Sequence, residues 1–425
     1  MDRMRILFAT QYYAPESNAP ANRVAALARV WTELGASVEV LTGFPNHPEG
    51  RIYPGYDSRL PRREDHAGVS VLRVPIYAAA NQGTVRRSLA YGSFCLSAST
   101  LGPLLSRPAD VVVATSPQIL TAVAGVGLAT TKRAPFILEV RDLWPDSIVA
   151  VGALTEGHPV VRGLARLEAA LYRRADHTVV VTEAFRRVLQ ERGVPADRLS
   201  CVPNGVDSEL FRPLEEGDPV EPDPFPGRFV VTFAGTVGMA HGIGTMLDAA
   251  RQLREARPDV LFVVAGSGAE RVALEARVQS ERLDNVRFVG RIPRADIPPL
   301  LRRSDLSLVM LRDSPLFRTV LPSKLFEAMG CARPILLGVD GEARRLVEEA
   351  GAGVFFPPGD PRALAASIIE LAEDRARLCS LGRSGRDYAL THYDRRALAV
   401  RYHDHIREVV GRWRSERHRF GRNAG

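Results

Sequence analysis

A lysine and a glutamate three residues apart are the first candidates for chemistry in this chain. Lysine is rare here, since the sequence has two lysines against 54 arginines. One of the two, Lys324, lies in the segment PSKLFEAMG and precedes Glu327. Where arginine fills nearly every basic position, a lysine indicates a site that needs a compact point charge on a flexible stem.

The residues around Lys324 predict a helix that begins at this point. Pro322 suits the opening turn of a helix, and Ser323 can cap its free N–H groups. Lys324 and Glu327 then share one helical face. A helix start with a cation attracts phosphate, and a carboxylate one turn later can accept hydrogen bonds from a sugar diol. The pair suits a nucleotide-diphosphate sugar, and an ordinary surface ion pair is the alternative.

Glycine-rich loops follow three strand-like runs in the second half of the chain. The residues of interest are Gly235, Thr236, Gly238, His241, Gly242 and Gly244 after the first run, Gly266 and Gly268 after the second, and Gly290, Arg291 and Ile292 after the third. Glycines permit close approach of a ligand to the backbone, and a helix is expected near Ile243. The pattern predicts a phosphate or sugar cradle, with a tight structural turn as the alternative. It matches neither the dinucleotide fingerprint nor a Walker lysine.

In the first half, the segment EVRDLWPDS places charged residues and a tryptophan directly after a strand-like run. Arg141, Asp142, Trp144 and Asp146 are expected at the carboxyl end of that strand. An arginine there can bind a diphosphate and an aspartate can orient a hydroxyl, or the two can form a structural ion pair. The nine scattered histidines show no triad order and no metal-ligand spacing, which disfavours hydrolases and metalloenzymes and predicts no metal site.

Apolar runs of strand length alternate with amphipathic segments throughout, which predicts an α/β fold. The first half contains such runs at 5–10, 37–43, 110–115, 135–140 and 177–182, and the second half at 229–235, 260–266, 286–290, 306–311 and 334–338. Each half is expected to form a doubly wound, Rossmann-like sheet. Two such sheets facing across a cleft bind ligands outside the carboxyl ends of their strands.

The domain organisation follows from the changes in composition. The residues 211–228 are rich in Pro, Glu and Asp and predict a linker between a first domain, 1–210, and a second domain, 229–385. A final helix, 386–410, is expected to cross back to the first domain. The basic tail, 411–425, is expected to be disordered.

Composition narrows the class of protein and its location. Cys95, Cys201, Cys331 and Cys379 form no CxxC pair, which fits a reducing cytoplasm. The N-terminus has no signal-peptide core, and the uncharged stretch 111–131 is better explained by a strand and a buried helix than by a membrane span. The formal charge of +7 and the pI near 9.5 favour anionic partners. No nucleic-acid module is recognisable, so nucleic acid is not an expected partner.

Five segments carry a resemblance to a known family. They are TQYYAPE around Gln11, PNHPEGRIYPGY at 45–56, RDLWPDS at 141–147, PNGVD at 203–207 and PSKLFEAMGCARPI at 322–335. In this order they resemble a family 4 glycosyltransferase of the GT-B fold, in the branch with WbuB-like and colanic-acid-type transferases. The resemblance runs from about residue 4 to residue 410. It implies that the first domain binds the acceptor and the second the nucleotide sugar.

The resemblance also implies roles for the residues of the second domain. Glu327 matches the second glutamate of the family's E-x7-E motif, which holds the donor ribose. The first glutamate is replaced by Thr319, so its hydroxyl or the amides of Val320 and Leu321 are expected at the donor sugar. At the positions where many relatives have an arginine and a lysine, this chain has Thr236 and His241. Lys324 is the natural replacement for that lost phosphate charge.

In the first domain, this chain has Arg141 at the position where a histidine is common in relatives. This arginine is expected to stabilise the leaving diphosphate. Asp142 is expected to orient the acceptor, and Asn18 and Trp144 are expected to contact it.

The implied activity is retaining, metal-independent transfer from a UDP-hexosamine-type donor, without a cofactor. A polyprenyl-diphosphate-linked acceptor on the inner membrane face is implied, and the basic tail with Trp413 is compatible with peripheral membrane contact. Transfer to a soluble small molecule is one alternative. A GT-B-fold nucleotide-sugar epimerase, which needs no acceptor, is another.

Overall fold

The computed structural model describes residues 3–57, 59–79, 84–116, 118–215, 218 and 224–422. The chain divides into two compact units. Unit 1 comprises Met1–Pro203 together with Arg396–Gly425, and unit 2 comprises Asn204–Arg395.

Unit 1 is an α/β unit built on a mostly parallel sheet. Its strands are β1 (Arg5–Ala9), β2 (Ser37–Gly43), β3 (Arg62–His66), β4 (Val69–Val74), β5 (Val111–Thr115), β6 (Phe136–Val140), β7 (His177–Val180) and β8 (Leu199–Cys201). Its first helices are α1 (Ala19–Glu33), α2 (Thr84–Leu105), α3 (Ile119–Lys132), α4 (Asp146–Ala150), α5 (Pro159–Arg174) and α6 (Glu183–Glu191). Over the described residues the strand order is β3-β4-β2-β1-β5-β6-β7-β8.

The register of this sheet explains which loops meet at one edge. Strand β1 pairs in parallel with β2 and β5, with Ile6 opposite Val38 on one side and Val111 on the other. Strand β5 pairs in turn with β6 in parallel. Because parallel strands end at the same edge, the loops after β1, β5 and β6 lie there together. The hairpin of β3 and β4, which the sequence analysis did not predict, is antiparallel and lies at one side of the sheet.

Unit 2 repeats the parallel α/β arrangement. Its strands are β9 (Phe229–Ala234), β10 (Val260–Ala265), β11 (Val286–Gly290), β12 (Leu306–Met310), β13 (Ile335–Gly338) and β14 (Gly353–Phe355). Its helices are α7 (Ile243–Ala256), α8 (Arg271–Ser280), α9 (Ile297–Arg302), α10 (Ser323–Gly330), α11 (Glu342–Glu349), α12 (Pro361–Glu373) and α13 (Arg375–His392). In the part of unit 2 that the structure describes, the strand order is β11-β10-β9-β12-β13-β14. The predicted pair of doubly wound α/β sheets is confirmed.

The boundary between the units lies earlier than the sequence suggested. The division falls between Pro203 and Asn204, before the expected linker 211–228. The reason is hydrophobic: Val206 and Phe211 are buried in the core cluster of unit 2 that also contains Phe326. The linker residues 216, 217 and 219–223 lie outside the described residues.

The C-terminal helix α14 (Arg395–Arg422) corrects two further expectations. Helix α13 ends at His392, so the single helix 386–410 is wrong, and α14 continues well past the expected start of a disordered tail. The tail is ordered because its arginines find partners on unit 1. Arg414 forms a 2.8 Å ion pair with Asp110, and Arg412 donates to the carbonyl of Asp197. Residues 423–425 of the tail lie outside the described residues.

Aromatic packing anchors α14 on the core of unit 1. Tyr402 meets Trp31 edge to face, with ring centroids 5.2 Å apart, and the Trp31 indole N–H donates to the carbonyl of Ala399. The uncharged stretch 111–131 folds as strand β5 and helix α3, as predicted. Among the described helices, none has both the length and the apolar character of a membrane span.

Candidate active site

The three glycine-rich loops of unit 2 are held together by their own backbones. The Gly235 amide donates to the carbonyl of Ala265 at 2.8 Å, and the Gly266 amide donates to that of Gly290 at 2.7 Å. Gly266 has a φ of +149°, and a Cβ added there would lie 1.8 Å from the carbonyl oxygen of Gly235. Glycine at this position is therefore required by the packing of the loops. The structure brings the ends of β9, β10 and β11 together as expected.

Lys324 places a buried ammonium group beneath the first of these loops. Its Nζ lies 3.7 Å from the centre of the Phe233 ring, and a Cβ added to Gly235 would lie 2.9 Å from it. Within the described part of the chain, Nζ has no hydrogen-bond partner. Burial lowers the pKa of Lys324 to about 7, although the nearby Glu327 carboxylate opposes that shift. An unpaired buried cation beside a glycine backbone is suited to an anionic ligand.

His241 lies on the same aromatic ring as Lys324. Its imidazole meets Phe233 edge to face at 5.7 Å, and its Nδ1 is buried without a hydrogen-bond partner among the described residues. Burial, and then the charge of Lys324, lower the pKa of His241 to about 3. The imidazole is therefore neutral near pH 7 and does not supply phosphate charge, while Thr236 is exposed on the same loop.

Glu327 is paired with an arginine that the sequence analysis missed. Arg294 places its Nη1 3.5 Å from Oε1 of Glu327 and its Nη2 3.5 Å from Oδ2 of Asp207. Its guanidinium also lies over the Phe211 ring, 5.1 Å from the centroid. Burial raises the pKa of the Glu327 carboxyl, and Arg294 is the largest of the charges that oppose this. The signal was available, because Arg294 follows Gly290, Arg291 and Ile292 and Asp207 belongs to PNGVD.

The segment before α10 gives Thr319 a constrained hydroxyl. Thr319 ends a 3-10 turn, Phe317–Thr319, and its hydroxyl donates to the carbonyl of Leu316 at 2.6 Å. With its proton used in this way, the hydroxyl retains lone pairs that can accept a hydrogen bond. The amide of Val320 makes a long 3.5 Å bond to the carbonyl of Phe317, and the side chain of Leu321 is buried in the core.

The start of helix α10 differs in detail from the prediction. The helix begins at Ser323 as expected, but Pro322 is the N-cap residue and, among the residues that the structure describes, no side chain caps the first N–H groups. Ser323 lies inside the first turn, so the expected serine cap is wrong. Lys324 and Glu327 are both half-buried on this helix.

In unit 1, Arg141 follows β6 and also has unpaired donors. Its Nε and Nη1 are buried and have no hydrogen-bond partner in the described ranges. Burial lowers the pKa of Arg141 to about 10, with Glu139 as the largest opposing charge. Glu139 itself forms a 3.0 Å ion pair with Arg23 on α1. Arg141 is therefore a second buried cation with free donors.

Asp142 and the two predicted acceptor contacts lie in the loops at the same edge of this sheet. Burial raises the pKa of Asp142 to about 6, against hydrogen bonds from the Ser147 side chain and the Leu143 amide. Trp144 is half-buried in the same loop. Asn18 caps α1, since its Oδ1 accepts from the Ala21 amide at 2.9 Å, and its Nδ2 is buried without a partner among the described residues.

Comparisons with known families cover most of the chain. The description "Glycosyl transferase 4-like domain" matches residues 18–205, and "Glycosyl transferases group 1" matches residues 218–388. The chain is 30% identical to a probable glycosyltransferase, WbjE, of Pseudomonas aeruginosa, over 58% of this chain and 62% of that protein. It thus spans less than two thirds of WbjE.

Two colanic acid biosynthesis transferases of Escherichia coli K12, both named as putative, are also similar. WcaI is 24% identical over 86% of this chain and 91% of that protein. WcaL is 23% identical over 48% of this chain and 49% of that protein.

Solved structures share the fold at low sequence identity. Sucrose-phosphate synthase from Thermosynechococcus elongatus superposes with a TM-score of 0.77 at 20% identity, covering 96% of this chain and all of that one. Anabaena HepE, solved in complex with UDP, gives a TM-score of 0.67 at 19% identity, covering 95% of this chain and all of that one.

Two parallel-sheet, Rossmann-like units of this kind define a glycosyltransferase with the GT-B fold. The chain belongs to family 4 of the glycosyltransferases, in the colanic-acid-type branch. The fold, the family and the enzyme class expected from the sequence are therefore confirmed.

Proposed function

We propose that the protein transfers a sugar from a UDP-N-acetylhexosamine-type donor to a hydroxyl of a lipid-linked glycan during surface polysaccharide synthesis. The observation that carries the proposal is the buried, unpaired ammonium of Lys324 beneath Gly235. A cation that is desolvated without a partner is costly, and a diphosphate is the anion that such a position suits. The UDP in the HepE structure and the polysaccharide role in the WcaI name support the same assignment.

Unit 2 binds the donor in this proposal. Lys324 contacts the diphosphate, and Glu327 accepts hydrogen bonds from the ribose diol while Arg294 fixes its orientation. The main chain at Gly290, Arg291 and Ile292 faces the base. The Thr319 hydroxyl accepts a hydrogen bond from the donor sugar, next to the amides of Val320 and Leu321. The loop with Gly235, Thr236, Gly238 and His241, together with Gly266, forms the wall of the diphosphate site.

The chemical step requires stabilisation of the departing diphosphate. Positive groups fixed where negative charge develops act in a desolvated site without reorganisation. Lys324 and Arg141 supply this charge, so transfer proceeds without a divalent metal. The bond from the anomeric carbon to the diphosphate oxygen breaks, the acceptor oxygen bonds to that carbon, the proton of the acceptor hydroxyl passes to the departing diphosphate, and the configuration is retained. Asp142, with a pKa of about 6, orients the acceptor hydroxyl near neutral pH.

Unit 1 binds the acceptor in this proposal. The free Nδ2 of Asn18 donates to an acceptor oxygen, and Trp144 offers an indole face to a sugar ring. The acceptor is a polyprenyl-diphosphate-linked glycan at the inner face of the membrane, so the protein works in the cytoplasm in peripheral contact with the bilayer.

The test is a transfer assay with UDP-GlcNAc, UDP-GalNAc and UDP-glucose, and with a polyprenyl-diphosphate-linked acceptor, in EDTA. We expect one UDP-sugar to give a glycosylated lipid. Arg141→Gln should lower kcat by about 100-fold to 1000-fold, as loss of a transition-state donor does, with donor affinity unchanged. Arg166→Gln, at an exposed position on α5, is the control and should leave kcat unchanged.

Three results would contradict the proposal. If sugar is transferred only to a soluble small molecule, the acceptor is not a lipid-linked glycan. Conversion of the UDP-sugar with no acceptor present would indicate an epimerase. If no UDP-sugar supports transfer and another nucleotide sugar does, the assignment of a UDP-sugar donor is wrong.

A further inference from the structure

Helix α2 carries leucines on the side that faces away from the sheet of unit 1. Leu89, Leu96 and Leu104 are 55%, 67% and 80% exposed. On the opposite side, Phe94 and Ala98 are fully buried against the unit. The outer face of the helix therefore carries three large apolar side chains that are exposed to solvent.

The outer leucines lie along one side of the helix, with the exposed Thr100 between Leu96 and Leu104. They are spaced seven and eight residues apart, which places them on one face of an α-helix. A surface helix of a globular protein ordinarily presents charged residues on this side. Residues 88–106 contain no Asp, Glu, Lys or Arg. The outer face of α2 thus lacks the composition of a solvated helix surface.

Basic residues flank this stripe at both ends. Arg86 and Arg87 are exposed at the start of the helix, and Arg86 shares the face of Leu89 three residues later. At the other end, Arg63 donates to the carbonyl of Leu105 at 2.6 Å. Arg63 also forms an ion pair with the buried Glu39, so the arginines available at the surface are Arg86 and Arg87. An apolar face with these arginines at its start and no carboxylate of its own complements the headgroups and acyl boundary of an anionic bilayer.

The start of α2 lies beside a loop of the proposed acceptor site. Tyr91 on α2 hydrogen bonds to Tyr12, which belongs to the loop after β1 that also contains Asn18. The guanidinium of Arg87 lies 6.0 Å from the Tyr91 ring centroid. Tyr91 follows Leu89 by two residues and so lies on the opposite side of the helix, and a bilayer on the outer face would lie about one helix diameter, roughly 10 Å, from the loop that contacts the acceptor.

We propose that the outer face of α2 binds an anionic lipid surface, with Leu89, Leu96 and Leu104 at the acyl boundary and Arg86 and Arg87 on lipid phosphates. This assigns the membrane contact to α2 and not to the tail. Trp413 of the tail is half-buried and lies under the Arg417 guanidinium, 4.5 Å from centroid to carbon. The inference rests on the proposed function in one respect: a lipid-linked acceptor is the reason to expect a membrane contact.

The experiment is sedimentation of the full-length protein with vesicles of phosphatidylcholine alone or with 30% phosphatidylglycerol. We expect binding to the anionic vesicles. Leu89→Ser/Leu96→Ser/Leu104→Ser should weaken it by at least about tenfold, because the apolar area that leaves water is lost. Arg86→Gln/Arg87→Gln should weaken it about fivefold per arginine and reduce its salt dependence.

The matched control is Val160→Ser/Val272→Ser, which removes exposed apolar side chains from α5 and α8, 51% and 79% exposed. This variant should bind vesicles like the wild type. If the triple variant does not fold by thermal melting, the single variant Leu96→Asp at the middle of the stripe repeats the test. Binding of UDP is measured in parallel, so a variant that keeps UDP but loses vesicles separates this inference from the proposed function.

Several outcomes would overturn the proposal. No binding of the wild type to anionic vesicles would remove the lipid partner. If vesicle binding persists in the leucine variant and is lost in Trp413→Ala, the membrane contact is made by the tail. A dimer in light scattering that dissociates in the leucine variant, without any vesicle binding, would identify a second copy of the chain as the occupant of this face.

Discussion

The two lysines of the chain occupy opposite kinds of environment in the two units. In unit 1, Lys132 ends α3 and its Nζ donates to the carbonyls of Pro103 and Ser106, at 3.0 and 2.7 Å, where α2 ends. In unit 2, the Nζ of Lys324 is buried against Phe233 without a hydrogen-bond partner among the described residues. The first ammonium satisfies unpaired carbonyls of a helix end. The second has no such role in the fold.

This difference teaches how to separate a structural cation from one kept for a ligand. Rarity marks both lysines equally in the sequence, so it does not distinguish them. The distinction is energetic, because a paired cation stabilises the fold while an unpaired buried cation destabilises it until an anion binds. Exchanging each lysine for methionine should therefore have opposite effects on stability and unequal effects on binding.

The largest expected effect is on binding of the donor. Lys324→Met should weaken UDP-sugar binding by about 100-fold, because loss of one partner of a buried charge pair costs roughly 2–5 kcal/mol. Uridine, which lacks phosphate, should lose far less. Calorimetric titration of both ligands measures the difference, with Lys132→Met as the control that should bind like the wild type. Equal losses for uridine and the UDP-sugar would show that Lys324 does not contact the diphosphate.

The second prediction concerns the free energy of unfolding without ligand. Lys132→Met should lower it by about 1–3 kcal/mol, and Lys324→Met should raise it by a similar amount, since one change breaks hydrogen bonds and the other removes an unpaired buried charge. Denaturant unfolding at pH 6.5 measures both values. If Lys324→Met is less stable than the wild type, the ammonium of Lys324 has a structural partner in the fold, and the contrast with Lys132 does not hold.

The third prediction concerns Arg294, which holds Glu327 and Asp207 together. Arg294→Met should weaken UDP binding about tenfold, because a charge-assisted contact of roughly 1–2 kcal/mol that orients Glu327 is lost. Arg294→Lys should recover part of this loss. The control is Arg287→Met, an exposed arginine on β11 that should bind UDP like the wild type. Unchanged affinity in Arg294→Met would show that Glu327 is positioned without its arginine.

The smallest expected effect is on the pH dependence. With a pKa of about 7 for the free protein, Lys324 loses its proton above neutral pH, and a bound diphosphate favours the protonated form. The affinity for a UDP-sugar should therefore fall from pH 7 to pH 8, by less than about tenfold. Lys324→Arg should flatten this profile. A rise in affinity over that range would contradict the assignment.

The same pKa fixes the sign of the stability change with pH. The folded-state pKa of about 7 lies below the usual 10.5, so the unfolded chain binds more protons between these values. The destabilisation by Lys324 is fully present below pH 7 and is lost as the pH rises toward 10.5. The gap in unfolding free energy between Lys324→Met and the wild type should close over that range.

Most of the fold was predictable because its strands are buried on both faces. Runs such as 229–235 and 260–266 are apolar except for Thr232 and end at glycines, which is typical of parallel strands. The hairpin of β3 and β4 was missed because β3, Arg62–His66, is a charged and mostly exposed edge strand. The ordered tail was missed because its arginines pair with Asp110 and with carbonyls far away in the sequence.

The candidate site was predictable where local sequence sets its geometry. The glycines after β9, β10 and β11 and the spacing of Lys324 and Glu327 are local features, and the structure places them as expected except for the serine cap. The pairing of Arg294 with Glu327 and of Arg23 with Glu139 joins residues 33 and 116 positions apart. The loop position of Arg294 after Gly290 marks it as a candidate, but which carboxylate it pairs with depends on the packed fold, and no spacing rule gives that partner.

The most direct measurement is calorimetric titration of the wild type and of Glu327→Ala with UDP, GDP, dTDP and ADP, without added metal. We expect saturable binding with a preference for UDP, and no detectable UDP binding by a Glu327→Ala protein that melts like the wild type. Equal UDP affinity in the two proteins would contradict the ribose assignment. Absence of binding by the wild type to every nucleotide would contradict the donor site in unit 2 as a whole.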